Sequence, residues 1–169
     1  MTHPLANDRR VRRTRKAIFD AFRELVLSQP YDSIHVCDIV ERADVGRSTF
    51  YQHYSGKDQV LTESITWLFE ALADAAVGRP DVARLDFVLD HFKQQRAMAR
   101  AILRDQPLRL LTDRLAELIE QRQVAALPAR ARAAAQLEVI SSWLSDRVAA
   151  SRAELTEALM GSNSTVRLR

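Results

Sequence analysis

The segment between residues 36 and 54 limits the fold of this chain more than any other part of the sequence. Its first half carries apolar residues at the helical spacing i, i+3, i+4 and i+7. These residues are Val36, Ile39, Val40 and Ala43. The run Asp44-Val45-Gly46 then breaks the periodicity, and Asp and Gly both tolerate the left-handed backbone of a sharp turn. The segment therefore predicts two short helices joined by a tight turn.

The second of these helices combines a narrow apolar side with a broad polar face. Phe50 and Tyr54 lie four residues apart, so we expect them on one buried face. The remaining residues point outward or lie at the margin, and they are Arg47, Ser48, Thr49, Tyr51, Gln52 and His53. A DNA major groove, about 12 Å wide, admits a helix with such side chains, since Arg suits guanine edges and Gln suits adenine edges. The polar face is therefore predicted to contact DNA.

This arrangement resembles the N-terminal domain of the TetR family of transcriptional regulators. The family pattern has an Ile-Ala-like second helix, a Gly-Val turn, a Thr-x-Tyr-x-His/Tyr-Phe recognition helix and a Lys that opens a fourth helix. The matching residues here are Ile39-Val40, Asp44-Val45, Thr49-Phe50-Tyr51-Gln52-His53-Tyr54 and Lys57. The motif match covers roughly residues 10 to 61, and beyond it the resemblance is one of helix layout.

The resemblance implies a function for the whole chain. It implies a homodimeric repressor that occupies a near-palindromic operator in double-stranded DNA and is released by a small, largely apolar effector. Bases would be read by Arg47, Ser48, Thr49 and Gln52, and phosphates would be held by Tyr51, His53 and Lys57. For Lys57 there is also a physical reason, because a cation at a helix N-terminus is unfavourable unless an anion such as a phosphate approaches it.

Three positions depart from the family pattern. Asp44 stands where Gly or Asn is usual, and Asp can also enter the left-handed region. His35 replaces the usual capping Thr, so we expect the cap of the second helix to be weaker or to come from Ser33. Cys37 stands where a polar, DNA-facing side chain is common. Specificity should therefore depend more strongly on the recognition helix.

A cluster of cations precedes the first amphipathic helix, for which Thr14 is a candidate cap. The cluster comprises Arg9, Arg10, Arg12, Arg13, Arg15 and Lys16. Such a cluster is either a solvated tail or an arm that reaches phosphates or a minor groove, and its position beside the recognition motif allows the second reading. We expect Arg12, Arg13 and Arg15 to hold phosphates.

The composition favours an all-α protein in which a small head precedes a helical body. Only four Gly and five Pro occur among 169 residues, and no β-period alternation persists. We expect a three-helix DNA-binding head with a helix-turn-helix at residues 1–56, a dimerisation and effector body at 57–160 and a flexible tail at 161–169. Capping boxes at residues 55–58 and 151–154 are predicted to begin the fourth and the last helix.

The expected location is the cytoplasm. The sequence has no apolar run of the roughly 18 to 20 residues that cross a bilayer, and its N-terminus lacks the apolar segment of a signal peptide. The single cysteine, Cys37, fits a reducing compartment. We therefore expect no membrane partner.

Two sets of residues in the body are candidate binding residues. An effector cavity or ordinary core would be lined by Trp67, Phe87, Phe92 and Met98. The resemblance implies that the last two helices form the dimer interface, through Leu137, Ile140, Trp143, Leu144, Leu155 and Leu159. Aromatic anchors are favoured at interfaces, although Trp143 is equally compatible with a core position.

The sequence offers no pattern typical of an enzyme. His35, His53 and His91 have no second ligand at a metal-binding spacing, and the Gly-x-Ser-x-Gly elbow and the Gly-rich phosphate loop are both missing. We expect no catalytic residue, metal or cofactor. The alternative is a ligand-independent helical interaction module, or adaptor, whose head keeps the motif without reading DNA. Retention on a DNA duplex at moderate salt would distinguish the two.

Overall fold

The computed structural model describes residues 4–160, with side chains described from residue 9 onward. Within this range the secondary structure is helical and contains no strand, which confirms the all-α prediction. The chain divides into two compact units, Met1–Ser64 and Ile65–Arg169. The predicted flexible tail at 161–169 lies outside the described residues.

The first unit brings three helices, a 3₁₀ turn and the start of a fourth helix around one core. These elements are α1 (Pro4–Ser28), the 3₁₀ turn (Tyr31–Ser33), α2 (Val36–Arg42), α3 (Arg47–Tyr51) and the beginning of α4 (Lys57–Ala76). The residues most fully removed from water are Ile18, Phe22, Ile34, Ile39, Phe50 and Leu61. Burial of these apolar side chains is the main stabilising contribution to the unit, because α2 and α3 are too short to be stable alone.

The first helix begins earlier than the sequence predicts. The expectation that Thr14 caps it is wrong, since α1 begins at Pro4 and Thr14 lies in its interior. Arg and Ala favour helix, and Pro is tolerated in the first turn. The basic segment from Arg9 to Lys16 is therefore part of a helix and is not an extended arm.

The turn between α2 and α3 has the expected left-handed residue. Asp44 has a φ of 51°, a conformation that Asp enters more readily than most residues. Its amide donates to the carbonyl of Glu41 at 3.2 Å, and the amide of Val45 donates to the carbonyl of Val40 at 3.1 Å. These bonds satisfy carbonyls that the end of α2 leaves free, so the chain can reverse before α3 begins.

The first turns of α4 belong to the first unit, so the boundary lies further along the chain than residue 56. The predicted partner of Ser55 is also wrong. The amide of Ser55 donates to Oε1 of Gln59 at 2.7 Å, whereas Asp58 accepts the hydroxyl of Tyr31 at 2.6 Å. Burial, reinforced by this bond to a carboxylate, raises the pKa of Tyr31. Asp58 thus ties α4 to the 3₁₀ turn instead of closing a capping box.

The second unit contains the rest of α4 and the helices that follow. They are α5 (Val82–Gln94), α6 (Arg96–Ile102), α7 (Asp105–Glu120), α8 (Ala126–Leu144) and α9 (Arg152–Leu159). The capping box predicted for α9 is confirmed, because both the amide and the hydroxyl of Ser151 bond to the Glu154 carboxylate at 2.7 Å. Hydrogen bonds from Ser151 lower the pKa of Glu154 below its usual value.

Two polar side chains link helices inside the second unit. Arg122, which follows α7, donates to the carboxylates of Asp74 and Glu70 on α4, each at 2.7 Å. Gln136 of α8 is buried, and its amide nitrogen donates to the carbonyls of Leu72 at 2.9 Å and Leu159 at 2.6 Å. Such buried polar bonds favour one packing arrangement, because a shifted helix would leave polar groups unpaired.

Candidate nucleic-acid interface

The orientation of α3 is set by two buried aromatic side chains. Phe50 is fully buried and Tyr54 nearly so, and their ring centroids lie 5.8 Å apart. The opposite side of the helix is consequently presented to solvent. Its exposed residues are Arg47, Ser48, Tyr51 and Gln52, while Thr49 and His53 are half-buried at the margin. The structure thus gives the predicted contact residues the exposure that groove binding requires, and their contacts with DNA remain a prediction.

The exposed part of α3 contains an aromatic and a cation side by side. The guanidinium carbon of Arg47 lies 5.9 Å from the centroid of the Tyr51 ring. This is within the range of a cation–π attraction, which limits the freedom of a long side chain before it meets a partner. Tyr51 itself is packed edge-on against Phe50, with the ring centroids 5.5 Å apart. The two exposed side chains are therefore partly ordered in the free protein.

The start of α2 is stabilised by a carboxylate. The amide of His35 donates to the Asp38 carboxylate at 2.7 Å. Ser33 does not supply this cap, because its hydroxyl donates to the carbonyl of Pro30 at 2.7 Å. Cys37 is exposed on the same helix, with its sulfur 3.6 Å from the carboxylate of Asp38. Asp38 was not among the predicted capping residues, although its position three residues after His35 was visible in the sequence.

Lys57 has partners within the protein that the sequence did not predict. Its ammonium donates to the carbonyls of Tyr31 at 2.7 Å and Ile34 at 2.9 Å, and it lies 4.5 Å from the centroid of the Tyr31 ring. A cation at a helix N-terminus is electrostatically unfavourable, which is why the sequence suggested a phosphate here. In the structure, two carbonyls and an aromatic ring offset this cost. The structural role of Lys57 is therefore to join α4 to the 3₁₀ turn.

Arg15 also differs from its predicted environment. Its guanidinium forms an ion pair with Glu63 of α4, and the guanidinium carbon lies 5.3 Å from the centroid of the Tyr54 ring. Burial lowers the pKa of Arg15, but the interactions with Tyr54 and Glu63 outweigh it and leave the pKa raised. The phosphate contact of Arg15 stays a prediction, although its guanidinium already has two partners inside the first unit.

Arg12 and Arg13 are exposed on α1, so the structure keeps them accessible to a polyanion. Arg9, Arg10 and Lys16 are exposed on the same helix. A set of cations on one helix raises the local potential that attracts DNA phosphates. Because these side chains are carried by a helix, they can contact a duplex only where α1 itself approaches it.

Gln59 and Glu63 were missed by the sequence reasoning. Gln59 accepts the amide of Ser55 through Oε1, and its Nε2 donates to the carboxylate of Glu63 at 2.7 Å. The spacing of four residues between Ser55, Gln59 and Glu63 is the signal that could have revealed this series. The partnership of Glu63 with Arg15 has no such local signal, because the two residues are far apart in sequence.

The residues predicted to line an effector cavity do not share one environment. Phe92 is buried in the core, whereas Trp67 and Phe87 are 44% and 55% exposed. The two exposed rings contact one another with centroids 5.5 Å apart, and Trp67 also meets His91 at 5.3 Å. Met98 is half-buried. Phe87 and Phe92 lie on different faces of α5, so the structure does not support one cavity lined by all four residues. Effector binding by them stays a prediction.

The aliphatic residues predicted for the dimer interface are core residues of the second unit. At most 4% of the surface of each is exposed, and they are Leu137, Ile140, Leu144, Leu155 and Leu159. Side chains this deeply buried offer little surface to another subunit, so their burial does not favour a dimer interface formed through them. Their role in a dimer stays a prediction, and Leu155 also lines the groove between α8 and α9. Trp143 is half-buried and remains available.

A shallow apolar groove lies beside these core residues, between α8 and α9. Its volume is about 370 Å³. The apolar part of its lining consists of Val139, Trp143, Val148, Ala149, Ala150, Leu155 and Ala158. Val148 is 53% exposed, so the groove presents apolar surface to solvent. Apolar surface of this kind marks a surface suited to association.

The described residues contain no group of His, Cys, Asp and Glu side chains arranged to hold a metal ion. Among the helices between residues 4 and 160, none has the length and apolar character needed to span a bilayer.

The first unit is thus a helix-turn-helix head, in which α2 and α3 are joined by a tight turn and α3 presents a polar face. Residues 18–63 match the family model of bacterial regulatory proteins, tetR family. The chain therefore carries the N-terminal DNA-binding domain of the tetR family, which confirms the resemblance seen in the sequence.

Several curated regulators are similar to this chain over the same domain. An uncharacterized HTH-type transcriptional regulator, YxbF of Bacillus subtilis (strain 168), is 41% identical over 59 residues, which are 34% of this chain and 16% of the relative. The dhaKLM operon transcriptional activator DhaS of Lactococcus lactis subsp. lactis (strain IL1403) is 37% identical over 57 residues, covering 34% of this chain and 28% of the relative. The matches thus span about a quarter or less of these two proteins.

Two further relatives extend the likeness. The HTH-type regulator TcmR of Streptomyces glaucescens is 34% identical over 77 residues, which are 46% of this chain and 34% of the relative. A crystal structure of a TetR transcriptional regulator from Streptococcus agalactiae 2603V superposes with a TM-score of 0.62 at 25% identity. That superposition covers 94% of this chain and 97% of the other, so the likeness in fold includes both units.

Proposed function

We propose that this protein is a sequence-specific DNA-binding transcriptional regulator that acts as a homodimer on a near-palindromic operator. The observation that carries the proposal is the polar, exposed face of α3, which the buried Phe50 and Tyr54 hold outward within a domain of the tetR family. In a two-fold dimer, two such helices enter successive major grooves about 34 to 36 Å apart.

We assign two kinds of DNA contact to the first unit. Arg47, Ser48, Thr49 and Gln52 read base edges, and Tyr51, His53, Arg12 and Arg13 hold phosphates. Contacts to base edges carry sequence information, whereas contacts to phosphates position the protein and make binding sensitive to salt. Arg12 and Arg13 bring two cations from each subunit of the dimer to the phosphates, so log affinity should fall with log salt at a slope of about −3.6.

The test begins with selection of DNA duplexes from a random library by the wild-type protein. Gln52→Ala should then cost about 1 to 3 kcal/mol at particular base pairs of the selected duplex and little on a scrambled duplex. Gln94→Ala is the matched control, because Gln94 is exposed on α5 in the second unit. Failure to enrich any duplex, together with flat salt dependence, would favour the adaptor alternative.

For the dimer we propose the groove between α8 and α9 in place of the buried leucines. The support is its apolar lining and the half-buried Trp143, since aromatic residues are enriched at interfaces. Val148→Glu should shift the protein to monomers in sedimentation and weaken binding to a palindrome, because the charge would be buried at the contact. A Val148→Glu protein that remains dimeric at micromolar concentration would place the contact elsewhere.

The sign of regulation is a separate proposal. Repression by occupation of a promoter is our first choice, with release by a small, largely apolar effector. Activation is the second, and its support is the name of the similar DhaS, an operon activator. A reporter placed behind the selected operator, with and without the regulator, separates the two by the direction of change. An effector must bind more weakly by the same factor when operator is present, because coupling between two ligands is reciprocal.

A further inference from the structure

We propose that Arg15, Glu63, Gln59 and the backbone of Ser55 form a relay that positions the recognition helix α3 for base contact. In this relay Arg15 acts through Tyr54 and does not bind a phosphate. The proposal deepens the DNA-binding function and rests on it. It names positioning residues that lie on α1 and α4, outside the helix-turn-helix itself.

The relay is continuous from the loop before α4 to α1. The amide of Ser55 donates to Oε1 of Gln59 at 2.7 Å, and Nε2 of Gln59 donates to Oε1 of Glu63 at 2.7 Å. The other oxygen of Glu63 accepts from the guanidinium of Arg15. Gln59 and Glu63 therefore each bond to both of their neighbours in the relay. A displacement of Arg15 would consequently shift the backbone of Ser55, the residue after Tyr54.

The contact with Tyr54 connects the relay to α3, because Tyr54 follows this helix and packs on its Phe50. Tyr54 packs on Phe50 in the core and carries the guanidinium of Arg15 5.3 Å above its ring centroid. Burial raises the pKa of Tyr54, and the nearby cation of Arg15 opposes this shift. Tyr54 and Ser55 are consecutive residues shortly after α3. The relay therefore contacts the chain at two adjacent positions where it leaves this helix.

The relay is suited to orienting the helix and contributes little to holding the unit together. The side chains of Arg15 and Glu63 are 45% and 35% exposed. Ion pairs with this exposure change equilibria by about fivefold at most, which is small beside the burial of the aromatic core. An error in helix position has larger effects on base contacts than on nonspecific phosphate contacts, since only base contacts need a defined register.

The direction of the effect at Glu63 distinguishes the relay from simple charge repulsion. Removing a carboxylate near a DNA-binding surface normally strengthens binding, because repulsion between the carboxylate and the phosphates is lost. The relay predicts the opposite for Glu63. Glu63→Gln keeps the shape of the side chain and an oxygen for Gln59, but it loses the charge that holds Arg15.

The experiment compares Glu63→Gln, Arg15→Gln and the double variant on the selected duplex and on a scrambled duplex of the same length. Each single variant should weaken selected-duplex binding about threefold, and the double variant should be no weaker than either single one, because both break the same pair. The salt slope should be unchanged in all three. Asp20→Asn is the matched control, since it removes a carboxylate of α1 that is paired with Lys16 on the same helix.

Other outcomes would overturn the relay. Tighter binding by Glu63→Gln, or a salt slope reduced by about 1.8 in Arg15→Gln because each subunit of the dimer loses one cation, would make Arg15 a phosphate contact that Glu63 restrains. Equal losses on selected and scrambled duplexes would also contradict it. Hydrogen exchange at the Ser55 amide gives a readout without DNA, and faster exchange in Arg15→Gln is expected. If the wild type selects no duplex at all, the proposed function fails, and the relay as a device for DNA positioning fails with it.

Discussion

The ammonium of Lys57 donates a hydrogen bond to the carbonyl oxygen of Tyr31 at 2.7 Å and lies 4.5 Å from the centroid of the same residue's ring. Tyr31 in turn donates its hydroxyl to Asp58, the residue after Lys57. The 3₁₀ turn and the start of α4 are thus joined by two bonds in opposite directions. This pairing explains why the first turns of α4 belong to the DNA-binding head.

The first prediction follows from this pairing. Lys57→Met should lower the free energy of unfolding by about 1 kcal/mol, because it removes a charged donor from two carbonyls and a cation from an aromatic ring. Chemical denaturation measures the loss. Lys16→Met is the control, since the Lys16 side chain is 76% exposed. Equal stability of the two variants would mean that the bonds of Lys57 are not maintained in solution.

The second prediction concerns the buried amide of Gln136. Its nitrogen faces the carbonyl oxygens of Leu72 and Leu159, so Gln136→Glu would bring a carboxylate against two acceptors. The free energy of unfolding should fall by about 3 kcal/mol or more, because a buried charge is left without a donor. Gln94→Glu, on an exposed position of α5, should have little effect in the same denaturation experiment. A small loss for Gln136→Glu would show that the site admits water.

The third prediction separates core from interface. Leu144 is only 2% exposed, so Leu144→Ala should cost about 2 to 5 kcal/mol of stability. Leu127→Ala is a matched control with the same chemical change, because Leu127 is 79% exposed, and it should stay within about 0.5 kcal/mol. If Leu144→Ala instead shifted a fully stable protein from dimer to monomer in sedimentation, Leu144 would be an interface residue after all.

The fourth prediction is a dependence of stability on pH at His91. Burial lowers the pKa of His91 below its usual value of 6.5, so the unfolded chain binds this proton more readily than the folded one. The contribution of His91 to stability is therefore complete above pH 6.5 and is lost as the pH falls toward the lower folded pKa. Thermal unfolding at pH 7.5 and 5.5 should show a larger drop for the wild type than for His91→Gln. Identical drops would show that the imidazole is fully solvated.

The local sequence pattern was sufficient to predict the helix-turn-helix. The spacing of Ile39 and Val40, the turn at Asp44 and the pair Phe50 and Tyr54 predicted which faces are buried and which side of α3 is exposed. Each of these features depends on residues within a few positions of one another, and helical periodicity reports such neighbours directly. The cap at Ser151 was likewise predictable, because a capping box is contained in four consecutive residues.

Periodicity could not separate the core from the interface in the second unit. Leu137 and Leu144 repeat at helical spacing on α8, as Leu155 and Leu159 do on α9. Such a stripe can belong to a helix that packs within its own chain or against another subunit. The tertiary structure shows that neighbouring helices cover these leucines almost entirely, whereas Val148 and the half-buried Trp143 are more exposed on the groove that Leu155 also lines.

Only the tertiary structure shows which charged side chains pair with residues distant in sequence. Arg15 and Lys57 look like free cations in the sequence, yet the fold places a carboxylate or carbonyl oxygens beside each of them. A charged side chain binds whichever partner the packed backbone brings within reach, and that partner is distant in sequence for both residues. The sequence by itself determined the helix-turn-helix and the exposed polar face of α3. The fold determined that Arg15 and Lys57 are paired within the chain, because only packing brings their distant partners close.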